Sequence, residues 1–282
     1  MPAHFCGIAG LKPTAARVPR TGHIIPFGLG AIDWLTQNGP MARYVEDLAL
    51  TLPIIAGVDS WDPAIVPMPL GDPRAVDLKS LRVAVYTDNG IMTPTPETAD
   101  VVNRAAAALE DIGSHVQEDL PEAIPGSDGL LSRMLRADGG AFVRRLLEKA
   151  GTTELHHWTQ KRLDNARPMD VADFTALLEE VDRFRSAMHT FIQDYDVILC
   201  PVTAFPAQPH GFTSDENTGK GFSYAHVYSI TGWPGAVMRG GTSSEGLPIG
   251  VQVVARPWRE DVALAVAQHL ETMMDGWQRP LL

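Results

Sequence analysis

Cysteine is nearly absent: two residues in 282, Cys6 and Cys200, stand far apart in the chain. That scarcity excludes a disulfide framework and leaves no cysteine-based metal-ligand spacing. Both thiols are expected to be small buried hydrophobes. Long apolar runs are missing too: none approaches the roughly 18 residues that span a bilayer, and no basic stretch leads into an apolar one at the N-terminus. The expectation is a cytoplasmic protein without a membrane partner. Blocks of one charge are also lacking, since 23 Lys and Arg are interspersed with 34 Asp and Glu for a net charge of −11. Nucleic-acid binding needs a basic face, so this balance argues against it, whereas an acidic surface favours solubility. There is no phosphate loop, no dinucleotide fingerprint, no repeat and no Ser/Gly-rich linker. No cofactor is expected, and residues 1–282 read as one unit.

What is present is globular: 45% hydrophobic and 20% charged residues are the proportions of a packed fold. Leu81–Tyr86 is a short apolar strand pattern. Pro96 and Glu97 open an Ala-rich helix that Gly113 stops, and Ser114–Glu118 is the next strand. Strand, helix and strand in that order predict a right-handed crossover and parallel pairing. From about 128 to 193 the pattern is helical, with breaks at Gly151 and Arg167-Pro168, predicting about three helices. Asp196–Leu199 is β-like and stops at Pro201. The segment from Gly235 to Val254 reads as a hairpin turning at Glu245-Gly246, and a helix follows from Glu260 to Met274. The fold class is α/β, a mixed sheet covered by helices.

Several short motifs recur in a fixed order. The chain opens Met1-Pro2-Ala3-His4-Phe5-Cys6-Gly7-Ile8-Ala9-Gly10-Leu11-Lys12-Pro13-Thr14, then carries Arg17-Val18-Pro19-Arg20-Thr21-Gly22 and Asn38-Gly39-Pro40-Met41-Ala42-Arg43. Towards the other end come Tyr195-Asp196-Val197-Ile198-Leu199-Cys200-Pro201, Thr231-Gly232-Trp233-Pro234-Gly235 and Gly246-Leu247-Pro248-Ile249-Gly250-Val251-Gln252. Together these resemble the amidase signature family across almost the whole chain. The resemblance implies amide hydrolysis by a serine nucleophile, a bridging serine and a lysine base, without a metal. Those residues belong to Gly/Ser-rich segments upstream of the opening landmark, so no catalytic residue is assigned here. The expectation is an amidase-signature fold with its N-terminal part missing and an isolated chain without activity.

Imitations of a catalytic set read as structure. Gly240-Gly241-Thr242-Ser243-Ser244 resembles a catalytic loop, but it sits where a hairpin turn is expected. Lys12 belongs to the segment leaving the core, and Lys79-Ser80 to a loop before a strand. His156 and His157, adjacent on a helix, point about 100° apart and cannot chelate together. His4, His23 and His226 read as isolated structural histidines.

Substrate contacts are implied by the resemblance, because the segment before the Gly-Trp-Pro landmark helps line the acyl pocket. Here that segment supplies Tyr224, His226, Ser229, Thr231 and Trp233, with Trp233 equally suited to a stacking wall or a core position. Ser229 replaces a common Asn, and Met238-Arg239-Gly240 replaces the usual Val-Pro-x-Gly. Three functional readings stay open: a portion of an amidase acting on a small-molecule amide, a non-catalytic binding or regulatory module, and the C-terminal half of a split enzyme completed by an upstream polypeptide. A homo-oligomer is compatible with each.

Overall fold

The computed structural model describes residues 1–23, 35–212 and 215–280. Helix α1 (Pro2–Cys6) ends at Gly7 in the left-handed region and leads into strand β1 (Ala9–Lys12). Strand β2 (Met41–Ala42) and helix α2 (Val45–Ile55) follow. Strand β3 (Arg82–Val85), helix α3 (Pro96–Asp111) and strand β4 (His115–Glu118) form the expected unit, with β3 and β4 parallel. The helix starts where Thr95 accepts the Thr98 N–H and Pro96 fixes the first turn.

Four helices, not about three, separate β4 from the next strand: α4 (Leu130–Arg136), α5 (Ala141–Ala150), α6 (His157–Asn165) and α7 (Val171–Phe191). The additional break is Gly139-Gly140. Both glycines take positive φ, 61° and 78°, while the Asp138 carboxylate accepts the N–H groups of Gly140 and Phe142 at 2.8 and 2.7 Å. A Cβ on Gly139 would stand 2.4 Å from the Pro168 nitrogen, so the chain can cross there only without a side chain.

Strand β5 (Val197–Pro201) is buried at all five positions. Short helix α8 (Glu216–Gly219), helix α9 (Ser223–Thr231), the hairpin of β6 (Gly235–Thr242) and β7 (Pro248–Ala255), and helix α10 (Glu260–Met273) complete the fold. The described strands form one seven-stranded mixed sheet in the order β2-β1-β6-β7-β5-β3-β4. Only β5-β3 and β3-β4 are parallel.

Both faces of the sheet are covered, which explains why its central strands are apolar throughout rather than alternating. Val83, Val85, Leu199, Val251 and Val253 pack with residues of α2, α3 and α10. Ala84, Ile198, Cys200 and Val254 point the other way, into a cluster with α4, α7 and α9. Helix α7 joins that cluster through Leu177, Val181, Phe184 and Met188, spaced four, three and four apart. Cys200 is buried as expected; Cys6 is exposed, contrary to expectation, because it closes a five-residue helix whose inward positions are Ala3 and His4. Among the described residues no helix is long and apolar enough to cross a membrane.

Candidate functional site

Helix α9 has two distinct faces. Tyr224, Tyr228 and Thr231 enter the core, while Phe222, at its N-cap, and His226 and Ser229, three to four residues apart, form a half-buried stripe. Tyr224 stacks on Tyr86 at 6.4 Å, donates its hydroxyl proton to the Met92 carbonyl at 2.8 Å and accepts the Asn89 N–H at 3.4 Å. The Tyr86 and Tyr228 hydroxyls meet at 2.9 Å beneath it. Thr231 donates to the Tyr228 carbonyl and accepts the Trp233 N–H.

Trp233 is 1% exposed, with its ring edge-on to His189 at 5.4 Å and beside Tyr228 at 6.5 Å. Its indole N–H has no hydrogen-bond partner among the described residues. Of the five residues implied as substrate contacts, the fold therefore packs Tyr224, Thr231 and Trp233 inward and sets His226 and Ser229 together on the half-buried stripe. Ser229 donates to the Ala225 carbonyl at 3.4 Å, and burial pulls the His226 imidazole below its ordinary pKa, leaving it neutral at pH 7.

The stripe continues into rings that the sequence does not single out. Phe222 lies 6.2 Å from His226, 6.4 Å from Phe5 and 6.0 Å from Phe205, and Phe205 lies 5.5 Å from Phe212. Four of the nine phenylalanines of the chain thus gather from α1, from the segment after β5 and from the entry to α9. No periodicity links positions 5, 205, 212 and 222; only the four-residue step from Phe222 to His226 is a local signal.

Buried His4 holds this junction. Its Nδ1 accepts the Gly250 N–H at 2.7 Å, which places the ring proton on Nε2, 3.1 Å from the Phe205 carbonyl and from Thr203 Oγ1. Burial lowers its pKa to about 4, so α1 is tied to β7 and to the Phe205 segment by a neutral imidazole. Gly221 completes the fit: a Cβ there would meet the Phe205 ring at 2.2 Å.

Lys12 is a buried anchor. Its ammonium donates to the Trp233 carbonyl, fastening the end of α9 to β1, and burial lowers its pKa to about 7 against the opposing pull of Glu260. Glu260 in turn accepts the Thr14 N–H at 2.8 Å and pairs with Arg17 at 2.9 Å, both side chains being almost wholly buried. The serines of the Gly240–Gly246 stretch do local work: Ser243 accepts the Leu247 N–H at 3.2 Å, and the Ser244 N–H is held by Glu97 at 2.7 Å.

Comparison with known proteins gives one consistent result. The family model described as Amidase matches residues 1–264. The chain is 28% identical to the acylamidase of Rhodococcus erythropolis, over 97% of its own length and 58% of that relative. It is likewise 28% identical to the indoleacetamide hydrolase of Bradyrhizobium diazoefficiens, over 96% of itself and 52% of the relative. Among solved structures, 6-aminohexanoate cyclic dimer hydrolase complexed with substrate superposes with a TM-score of 0.83 at 25% identity, covering 97% of this chain and 62% of that one. The chain thus spans about three-fifths or less of the length of these proteins. In sequence motifs, in fold and by this match over most of its residues, the chain belongs to the amidase family.

Proposed function

We propose that this chain forms the substrate-facing part of a serine-type amide hydrolase and does not hydrolyse amides alone. The observation that carries the proposal is the junction of α1 with α9, where the opening family landmark meets the segment that the resemblance assigns to the acyl pocket. The catalytic serines and lysine of related enzymes belong to the sequence preceding that landmark. The residues that imitate them here are engaged elsewhere: Lys12 with the Trp233 carbonyl, Ser80 and Ser243 with local backbone. Hydrolysis then requires the segment that carries nucleophile and base to stand at the N-terminal end of α1, with residues 1–282 acting as one partial unit and a small-molecule amide as substrate.

The test is turnover of a panel of aryl and aliphatic amides by the purified 282-residue chain, with a fluorophosphonate as active-site label. The expected result is no turnover and no labelled serine. Turnover together with a label on a serine of this chain overturns the proposal.

A further inference from the structure

We propose that the outer face of α2, with the segment that follows it, binds a second copy of this chain across a twofold axis beside Ile54. The inference goes beyond the amide-hydrolase reading and does not depend on it.

The first argument is an apolar face with almost no charge. Helix α2 sends Val45, Leu48 and Leu52 into the core, so Leu50 and Ile54, four residues apart on the opposite side, are 71% and 77% exposed. Past the helix, Val58, Trp61, Val66 and Met68 are exposed as well. Between Asp47 and Asp72 only Asp59 and Asp62 are charged, although 20% of the whole chain is. Both are engaged: Asp59 accepts the N–H groups of Trp61 and Asp62 at 2.9 Å, and Asp62 pairs with Arg20 at 2.8 Å. Other exposed apolar residues stand among charges, Val143 next to Arg144 and Trp158 one helical turn from Lys161 and Arg162.

The second argument is that hydrogen bonds gather this stretch into one surface. The N–H groups of Gly57 and Val66 donate to the adjacent carbonyls of Arg17 and Ala16 at 3.1 and 2.9 Å, and the Arg17 guanidinium donates to the Met68 carbonyl at 2.8 Å. The loop therefore folds back beside the end of α2. Pro53, Pro63, Pro67 and Pro69 carry no N–H, so covering this stretch strands fewer donors than covering an ordinary loop.

The third argument identifies the occupant. A partner that reads charge finds none free here, whereas a second copy supplies the same uncharged face. Two chains of net charge −11 repel one another, and this is the surface on which they approach with least repulsion. At on the order of 100 Å² each, and about twice that for Trp61, the six side chains present roughly 700 Å², close to the roughly 800 Å² that each partner gives to a stable interface. One patch meeting itself makes an isologous contact, which closes at two chains. Leu50 and Ile54 form its centre, and Trp61 stands at the rim with one edge in water.

Sedimentation velocity on the 282-residue chain tests this. At about 10 µM the expected species is a discrete dimer, with a micromolar or lower dissociation constant. Leu50→Glu and Ile54→Glu replace exposed residues with a helix former and set carboxylates against each other across the axis. Each should raise the dissociation constant at least about tenfold with unchanged helical circular dichroism. Val171→Glu, at the 79% exposed start of α7 on the other side of the sheet, should leave the dimer as it is. A monomer up to about 100 µM, aggregates without a discrete dimer, or a dimer that both α2 variants leave intact overturns the proposal. Turnover by the isolated chain would instead overturn only the reading of Proposed function, so the two failures are distinct.

Discussion

A single carboxylate, Glu260, joins the opening landmark of the chain to its last helix. It is 1% exposed and faces Arg17, 2% exposed, which also donates to the Met68 carbonyl at 2.8 Å and lies over the Trp258 ring at 4.9 Å. Removing one member of a buried ion pair leaves the other desolvated and unpaired, a loss of about 3–5 kcal/mol. Glu260→Ala should cost that much in urea denaturation, whereas Glu260→Gln, which keeps an acceptor for the Thr14 N–H, should cost less. A Glu260→Gln variant as stable as the parent would show that the charge is immaterial. Tyr228→Phe removes the contact with the Tyr86 hydroxyl and should cost about 1 kcal/mol by the same measurement. Sequence reasoning reaches the residues of the opening landmark but not their roles. Arg17 and Glu260 are 243 positions apart, and the burial that makes each indispensable exists only once α10 is docked.

Elements, in contrast, are largely legible. The β3–α3–β4 unit, the hairpin and α10 follow from apolar runs, a Thr-Pro helix start and a Glu-Gly turn, all encoded within a few residues. The break at Gly139-Gly140 is not legible, because glycine also occurs inside helices and the feature that requires it, the crossing of Pro168, is distant in sequence. The Gly240-Gly241 pair shows the same limit from the other side. It lies at an irregularity in the β6–β7 register, and a Cβ on Gly240 or Gly241 would meet Val101 of α3 at 2.8 or 2.6 Å. What resembles a catalytic loop is the place where a helix approaches a strand closely. Gly241→Val should therefore lower stability by about 1–3 kcal/mol through overpacking, read as a fall in Tm. A variant as stable as the parent would show that α3 can retreat without loss.

At the scale of the whole molecule, stability should rise with pH from about 4 to about 9. The His4 imidazole titrates at about 4 when folded and near 6.5 when unfolded, so between those values the unfolded chain binds the extra proton. The contribution of His4 is complete above about pH 6.5 and declines as pH falls, by about 3 kcal/mol at pH 4. The Asp62 carboxylate, held below its ordinary range chiefly by hydrogen bonds from Arg20, adds a loss of the same sign at still lower pH. Lys12, lowered to about 7, extends the trend above pH 7, until the buried Cys200 thiol and the Tyr86, Tyr224 and Tyr228 hydroxyls, all raised by burial, impose the opposite slope above about pH 9. Denaturant midpoints across pH 4 to 9 check the slope, and His4→Asn should flatten its acid limb; a profile with its maximum at pH 5 would contradict these assignments. Trp233 offers an optical reading of the same molecule. Its indole N–H is shut away from water and unbonded among the described residues, beside the His189 ring, whereas Trp61 is 74% exposed. Trp233 emission should therefore lie to the blue of Trp61 emission, and a red shift on denaturation should mark the moment at which α9 leaves the sheet.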